Sequence, residues 1–416
     1  MKRVKEVVLL VFAGILLLPG TNLYASEIDV LVSKLVEKGI LSRKEAKAVL
    51  VETKEEIKKD QAKEEQEGVP KWIRTMKLKG DLRLRYQADD KDKDNRAARA
   101  RGRVRFRLGT EAKVTDQVKI AAGFASGSSN DARSTNQTFQ DTFSSKNLWL
   151  DYAYAEFAPT PSITLFGGKM KRKPILWEPT DLLWDGDINP EGAALVFSGE
   201  TYSTELFVNS GFFVLDESSS NADEPWMAYL QPGIKWKLSE QKSLKLALTG
   251  YLINSKGYDI NGSADTNTKS GANHKYDYNS ISPAFELTIK EPLGGWVSYG
   301  AFFGEYVKAS DPSKNNEGWV VGFKFGEKKV KKAGQWQFKY LYRRLEQDAW
   351  LDAFPDSDAY DGDTHVKGHE VALKYGLAKN IILGLDYYYM EPIDTSAGHI
   401  SGNDQQVLQV DVAIKF

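Results

Sequence analysis

From residue 71 to the C-terminus, apolar and polar positions alternate in runs of about seven to thirteen residues, broken by turn signals. The pattern is clearest at residues 99–107, Arg-Ala-Arg-Gly-Arg-Val-Arg-Phe-Arg. On a helix these arginines would scatter around the cylinder. On a strand, whose side chains repeat every two residues, Arg99, Arg101, Arg103, Arg105 and Arg107 share one face, and Ala100, Gly102, Val104, Phe106 and Leu108 the other. The preceding run puts Leu78, Gly80, Leu82, Leu84 and Tyr86 opposite Lys79, Asp81, Arg83 and Arg85. The two runs read as a hairpin with one greasy face and one cationic face.

Sixteen such segments follow one another to Phe416. Alternate connections are short, as at Thr115-Asp116-Gln117, Pro159-Thr160-Pro161 and Gly199-Glu200-Thr201. The intervening ones, including 127–146, 170–191, 255–279 and 347–367, are long and polar. Short turns at one end and long loops at the other predict an all-β fold, a transmembrane antiparallel barrel with its turns in the periplasm. A soluble sandwich has no reason to keep that parity. The last strand carries Leu408, Val410, Val412, Ile414 and Phe416 on one face. An arginine at the midplane of a lipid-facing strand costs roughly 2–4 kcal/mol, so the greasy faces meet lipid and the arginines line water.

A barrel of sixteen strands is wide enough to hold an aqueous channel. The expected pore-lining cations are Arg83, Arg85, Arg99, Arg101, Arg103, Arg105, Arg107, Lys339 and Arg343, with further lysines at 235, 237, 245, 324, 374 and 415. Inward acids are fewer, which predicts a lumen that concentrates anions. Arginine suits this task because its planar fork binds carboxylate or phosphate through two hydrogen bonds and keeps its charge.

The N-terminus follows other rules. Lys2, Arg3 and Lys5 precede an apolar run from Val7 to Leu18, so residues 1–25 read as an export signal. Residues 26–70 have helical spacing: Ile28, Leu31, Leu35 and Val36 end at Gly39, and Ser42 with Glu45 opens a second helix carrying Ala46, Val49, Leu50 and Ile57. This segment is expected to be a periplasmic helical hairpin or short coiled coil, with residues 26–67 available to touch peptidoglycan. The barrel then occupies 71–416. There is no cysteine, hence neither a disulfide framework nor a lipid-modified cysteine. Losing Lys2, Arg3, Lys5 and Glu6 with the signal moves the net charge from −1 to −3, so the placement of charge says more than its sum.

The third long connection, 170–191, mixes apolar anchors (Leu176, Trp177, Leu182, Leu183, Trp184) with acids (Glu178, Asp181, Asp185, Asp187, Glu191). A loop meant only for solvent needs no tryptophans, whereas one packed inside the barrel does. Here the chain resembles the putative porins of Gram-negative outer membranes, on Trp184-Asp185-Gly186-Asp187-Ile188-Asn189-Pro190-Glu191-Gly192, on the hairpin from Gly39-Ile40-Leu41 to Glu45, and on the terminal Phe416. A looser resemblance is to the phosphate-selective porins. The porin likeness implies a constriction loop containing Asp181, Trp184, Asp185, Asp187 and Glu191, its acids facing the arginine wall. It also implies a homotrimer, and recognition of Phe416 by the barrel assembly machinery.

Other chemistries fit less well. Asp185-Gly186-Asp187 with Asn189 offers oxygen ligands for calcium but lacks the distal Glu of a full loop. His274, His365, His369 and His399 have no nucleophile and acid at a recognisable spacing. No enzyme activity, cofactor, metal or nucleic-acid partner is expected. The expected function is passive diffusion of small anionic or polar solutes across the outer membrane of a Gram-negative bacterium. The competing reading is a structural barrel that tethers the envelope through its N-terminal helices.

Overall fold

The structure, a computed structural model, describes residues 32, 34–39, 41–53, 55, 70–91, 98–217, 224–260, 262, 264–394 and 403–416. The expected signal at 1–25, together with Ile28, Leu31, Ile40, Ile57 and His399, lies outside them. The chain divides into two compact units, Met1–Arg74 and Thr75–Phe416.

In the first unit the helical residues 34–37 stop at Gly39, whose φ of +71° is the left-handed conformation a glycine takes cheaply. Ser42 and Glu45 then form a reciprocal cap. The Glu45 N–H donates to Ser42 Oγ at 3.3 Å, and the Ser42 N–H donates to a Glu45 carboxylate oxygen at 2.9 Å. Residues 43–53 are helical.

The second unit is a closed antiparallel barrel of sixteen strands. They are Lys77–Lys91 (β1), Arg99–Lys113 (β2), Val118–Ser126 (β3), Leu148–Thr160 (β4), Ile163–Lys169 (β5), Glu191–Glu200 (β6), Thr204–Val214 (β7) and Trp226–Lys237 (β8). The remainder are Lys242–Asn254 (β9), Ser280–Lys290 (β10), Tyr299–Ala309 (β11), Glu317–Gly326 (β12), Trp336–Leu345 (β13), Val366–Ala378 (β14), Ile381–Pro392 (β15) and Gln405–Lys415 (β16). Each pairs with its neighbours in sequence, and β16 pairs back onto β1. Closure leaves no sheet edge, as a barrel in lipid requires. At the seam, Gly80 and Phe416 exchange backbone hydrogen bonds at 2.9 and 3.0 Å. A Cβ on Gly80 would stand 2.5 Å from the Phe416 ring, so the glycine makes room for the terminal aromatic.

The alternation sorts the faces as charge and lipid demand. Leu244, Leu246 and Leu248 of β9 point outward, while Lys245, Ala247 and Thr249 point inward; Trp336 and Phe338 of β13 oppose Gln337 and Lys339. The core is not in the wall. It lies inside the barrel, where the loops at 170–190, 255–279 and 346–365 fold in against β7–β13. Trp184, Trp350, Leu182, Leu183, Ile175 and Met170 from the loops meet Phe213, Tyr229, Tyr251, Phe303 and Leu341 from the wall, all of them buried. The inserted loops thus occupy one side of the lumen.

Candidate functional site

The loop at 170–190 leaves β5 and rejoins β6 at two glycines that face each other across the ladder, Gly168 and Gly192. Their φ angles are +123° and +147°, and a Cβ on Gly192 would sit 2.1 Å from the Phe212 carbonyl oxygen. Once inside, the loop is held at several points. Tyr229 O–H donates to the Ile175 carbonyl at 2.7 Å. Arg172, buried, contacts the buried Glu178 and donates to the Trp184 and Asp185 carbonyls at 3.3 and 3.0 Å. Trp184 stacks on Phe354 with ring centroids 4.7 Å apart, and the Trp350 indole N–H donates to the Leu183 carbonyl at 2.7 Å. Two inserted loops, 170–190 and 346–365, are therefore packed as one body.

The polar side of that body faces β1, β2 and β16. The in-register pairs Arg83↔Arg105 and Arg85↔Arg103 put like charges directly opposite, an unfavourable arrangement unless acids intervene. They do. Asp81 accepts from both Arg105 and Arg107 at 2.8 Å. Asp411 takes Arg85 in a two-pronged pair at 2.7 and 2.9 Å, with Arg83 3.6 Å away. Asp89 holds Arg101 at 2.9 Å. The inserted loops add Asp187 to Arg107 and Asp358 to Arg85, both at 3.3 Å. Arg103 has only neutral partners, Gln87 at 2.9 Å and Ser134 at 3.3 Å, with no carboxylate in ion-pair range among the described residues. The Nε–H groups of Arg83, Arg101 and Arg103 are buried without an acceptor among the described residues. Arg99 lies exposed at the outer end of β2.

Lys339 and Arg343 form a separate cluster on β13. Arg343 reaches Asp181 at 2.8 Å, Asp356 at 3.2 Å and Glu370 at 3.4 Å, and Lys339 also contacts Glu370. These cations are tied into the wall. Of the four acids expected to face the arginines of β1 and β2, Asp187 does so, at Arg107, whereas Asp181 meets Arg343 on β13 instead. Burial alone would raise both carboxyl pKa values, yet Arg343 beside Asp181, and Arg105 with Arg107 beside Asp187, hold them low.

Asp185 and Glu191 do not face the arginines. Asp185 accepts from the Ser357 N–H and O–H at 2.9 and 3.0 Å and from the Asp187 N–H at 2.8 Å. It is a brace between the two loops, and burial, then the neighbouring Asp187 charge, pushes its carboxyl up to about 7. Glu191 is the first residue of β6 and pairs with Lys169 at 2.8 Å. Two positions of offset within a turn are enough to reverse a side chain's direction. Trp184 is fully buried and lines no water.

The loop at 346–365 is the functional part that sequence reasoning passed over. It carries seven acids (Glu346, Asp348, Asp352, Asp356, Asp358, Asp361, Asp363) and no lysine or arginine, which was the available signal. Its Asp352 and Asp348 accept from backbone N–H groups of Thr266, Asn267 and Thr268 at 2.7–3.0 Å, locking it to the loop at 255–279. Asn136 and Ser134, from the loop at 127–147, also meet the wall, at Arg83 and Arg103.

Lys173 is held below the usual lysine range by burial and by Arg172, Arg107, Lys374 and Lys329 around it.

The sequence pattern described as putative porin matches residues 92–289 and 265–416. Among solved structures, OprB of Pseudomonas putida is similar in fold at 11% identity, over 83% of this chain and 95% of that one, with a TM-score of 0.54. OprD of Pseudomonas aeruginosa aligns at 12% identity over 83% and 96% with a TM-score of 0.43. A mutant of the Rhodopseudomonas blastica porin aligns at 10% over 82% and 100%, also at 0.43. No curated protein matches the chain.

Proposed function

The chain belongs to the putative porin family and is an outer-membrane channel protein, and from that premise we propose that it passes small hydrophilic solutes by diffusion, with a preference for anions. The observation that carries this reading is the placement of unneutralised cations along the passage. Arg103 stands among neutral partners, and Lys173, on the inserted loop, has Arg172, Arg107, Lys374 and Lys329 acting on it. A solute carboxylate or phosphate entering there meets a guanidinium whose charge no carboxylate among the described residues pairs with. The acids of the inserted loops cancel much of the remaining ladder, so the preference is a bias in a water-filled passage.

The test is single-channel conductance of the purified protein in a planar bilayer, with the reversal potential read under a KCl gradient. A chloride-selective potential is expected, and Arg101→Ala with Arg103→Ala should move it toward potassium. A cation-selective wild type would sink the anion preference.

The remaining assignments rest on sequence features and the porin likeness: export by residues 1–25, assembly through Phe416, a homotrimer, and a peptidoglycan contact through residues 26–67. A deletion of 27–66 that leaves conductance intact but loosens attachment to the cell wall would separate the last of these from transport.

A further inference from the structure

We propose that three adjoining turns on the outside of the periplasmic rim form a lipid-docking surface, one that gathers acidic phospholipid from the inner leaflet of the outer membrane. The turns are 291–298 after β10, 327–335 after β12 and 379–380 after β14. They stand side by side at the end of the barrel that its short connections mark as periplasmic. The proposal rests on the chain being an outer-membrane barrel and is independent of what the lumen conducts.

The first turn carries the apolar part. Leu293 and Trp296 are 67% and 89% exposed, while Val297 beside them is buried. The turn is closed by its own backbone: the Glu291 N–H donates to the Ser298 carbonyl at 3.1 Å, and the Gly294 N–H to the Glu291 carbonyl at 3.2 Å. Gly294 supplies the left-handed φ of +65° that this requires. An indole and a leucine held out in this way gain most at a hydrocarbon boundary, where the indole N–H still reaches the headgroups. Phe325, Trp336 and Tyr375, at the periplasmic ends of β12, β13 and β14, are exposed on the outward face and continue the same aromatic belt.

The other two turns carry the charge. Lys331, Lys332 and Lys379 are exposed, and none has a carboxylate in ion-pair range among the described residues. Like charges repel, yet the backbone fixes their turns together. The Lys331 and Lys332 N–H groups donate to the Gln335 side-chain oxygen at 2.8 and 2.9 Å. The Asn380 N–H donates to the Lys331 carbonyl at 2.9 Å, and the Gly376 N–H to the Gln335 carbonyl at 2.8 Å. A Cβ on Gly376 would collide with the Lys332 carbonyl oxygen. Glu327, the acid of the same turn, accepts instead from the Ser298 O–H at 2.9 Å, which ties the charged turn to the apolar one. A cell-wall or protein carboxylate would answer the lysines and leave Trp296 and Leu293 in water. A zwitterionic lipid would cover the apolar pair and leave the charge. An acidic phospholipid does both, because lysines beside a membrane attract anionic headgroups while exposed rings enter the interface.

The experiment reads Trp296 by bromine quenching. The full-length barrel and its Trp296→Phe variant are reconstituted at low salt in phosphatidylcholine vesicles containing a rising share of brominated phosphatidylglycerol or, separately, brominated phosphatidylcholine. The difference between the two proteins isolates the Trp296 signal. Half-maximal quenching is expected at a share of brominated phosphatidylglycerol at least threefold lower than that of brominated phosphatidylcholine. Replacing Lys331, Lys332 and Lys379 together by Gln should make the two lipids equivalent, as should about 0.5 M NaCl on the wild type, because exposed charges are screened. Lys256→Gln, on an outer loop, should leave the preference unchanged. Heat-modifiable migration on a gel checks folding, and the salt arm carries the test if the triple variant fails to fold. Equal quenching by the two lipids at low salt, or a preference that survives in the folded lysine variant or in salt, would overturn the proposal. Quenching by neither lipid would overturn it too, and co-sedimentation with purified cell-wall sacculi that the lysine variant loses would then assign the surface to the wall.

Discussion

The two sides of the lumen are built from the same alternating strands and end in opposite conditions. Along β1, β2 and β16 the inward positions are Arg83, Arg85, Arg103, Arg105 and Asp411, and what lies before them is polar: Asp358, Asn136 and Ser134 of the loops. Along β7–β13 they are Phe213, Tyr229, Tyr251, Phe303 and Leu341, and the space is filled by three inserted loops. The difference lies in what each face gains from a neighbour. An apolar inward face gains roughly 1.5–3 kcal/mol for each large side chain it buries, enough to hold a loop that brings tryptophans. A charged inward face loses hydration when covered, so it tolerates a loop only where carboxylates replace the water. The inserted body meets both demands, with Trp184 and Trp350 on its dry side and Asp181, Asp187 and Asp358 on its charged side.

The sharpest way to break this contrast is to remove the dry anchor. Trp184→Ala should destabilise the docked loop by about 3–5 kcal/mol, seen as protease cleavage within 170–190 and as a larger, noisier conductance from a barrel that still resists heat. A loop as protected as in the wild type would show that the charged side alone holds it.

Next comes pH. Asp185 ionises near 3.8 in the unfolded loop and near 7 when docked, and burial shifts Asp356 in the same direction. Between about pH 4 and 7 the undocked loop has released protons that the docked loop keeps, so docking weakens as pH rises, by at most about 1.4 kcal/mol per unit for each group. Asp181 and Asp187 are held low by arginines and act oppositely, their contribution being lost only below about pH 4. Hydrogen exchange of amides 181–189, corrected for intrinsic rates, should therefore show less protection at pH 7 than at pH 5. Greater protection at pH 7 would mean that the arginine-paired acids dominate.

A smaller effect is expected on the charged side. Asp411→Asn leaves Arg85 without its two-pronged partner and should cost about 1–3 kcal/mol, while the freed guanidinium makes the reversal potential more chloride-like. A shift toward potassium would contradict the role of Asp411 as a neutraliser. Smallest of all in stability is Arg103→Ala, at about 1 kcal/mol, because only hydrogen bonds to Gln87 and Ser134 are lost and no buried ion pair is broken. Its signature is a reduced chloride preference, read in the same bilayer.

Strand number and facing were legible because the side-chain period of two is written locally, and lipid outside and water inside enforce it in every strand. The idea that 170–191 packs inside was legible too, from tryptophans in a loop. The fates of its acids were not. Asp185 and Asp187 are two residues apart and chemically identical, yet one braces Ser357 and the other meets Arg107, because the turn between them is shaped by contacts to a loop about 170 residues away. The same distance hid the part played by 346–365, whose run of acids could as well have been a solvated outer loop.

By itself, then, the sequence determined a sixteen-strand barrel with a cationic strip along β1 and β2, since alternation and burial act between near neighbours. Which cations stay free is a property of the closed barrel. Arg85 is quenched by Asp411, 326 residues along the chain, and Asp358, 273 along, while Arg103, on the adjacent strand, meets only an amide and a hydroxyl among the described residues. Only the tertiary structure could decide this, because a charge is neutralised by whatever lies within about 4 Å of it, and closure and loop insertion set those neighbours.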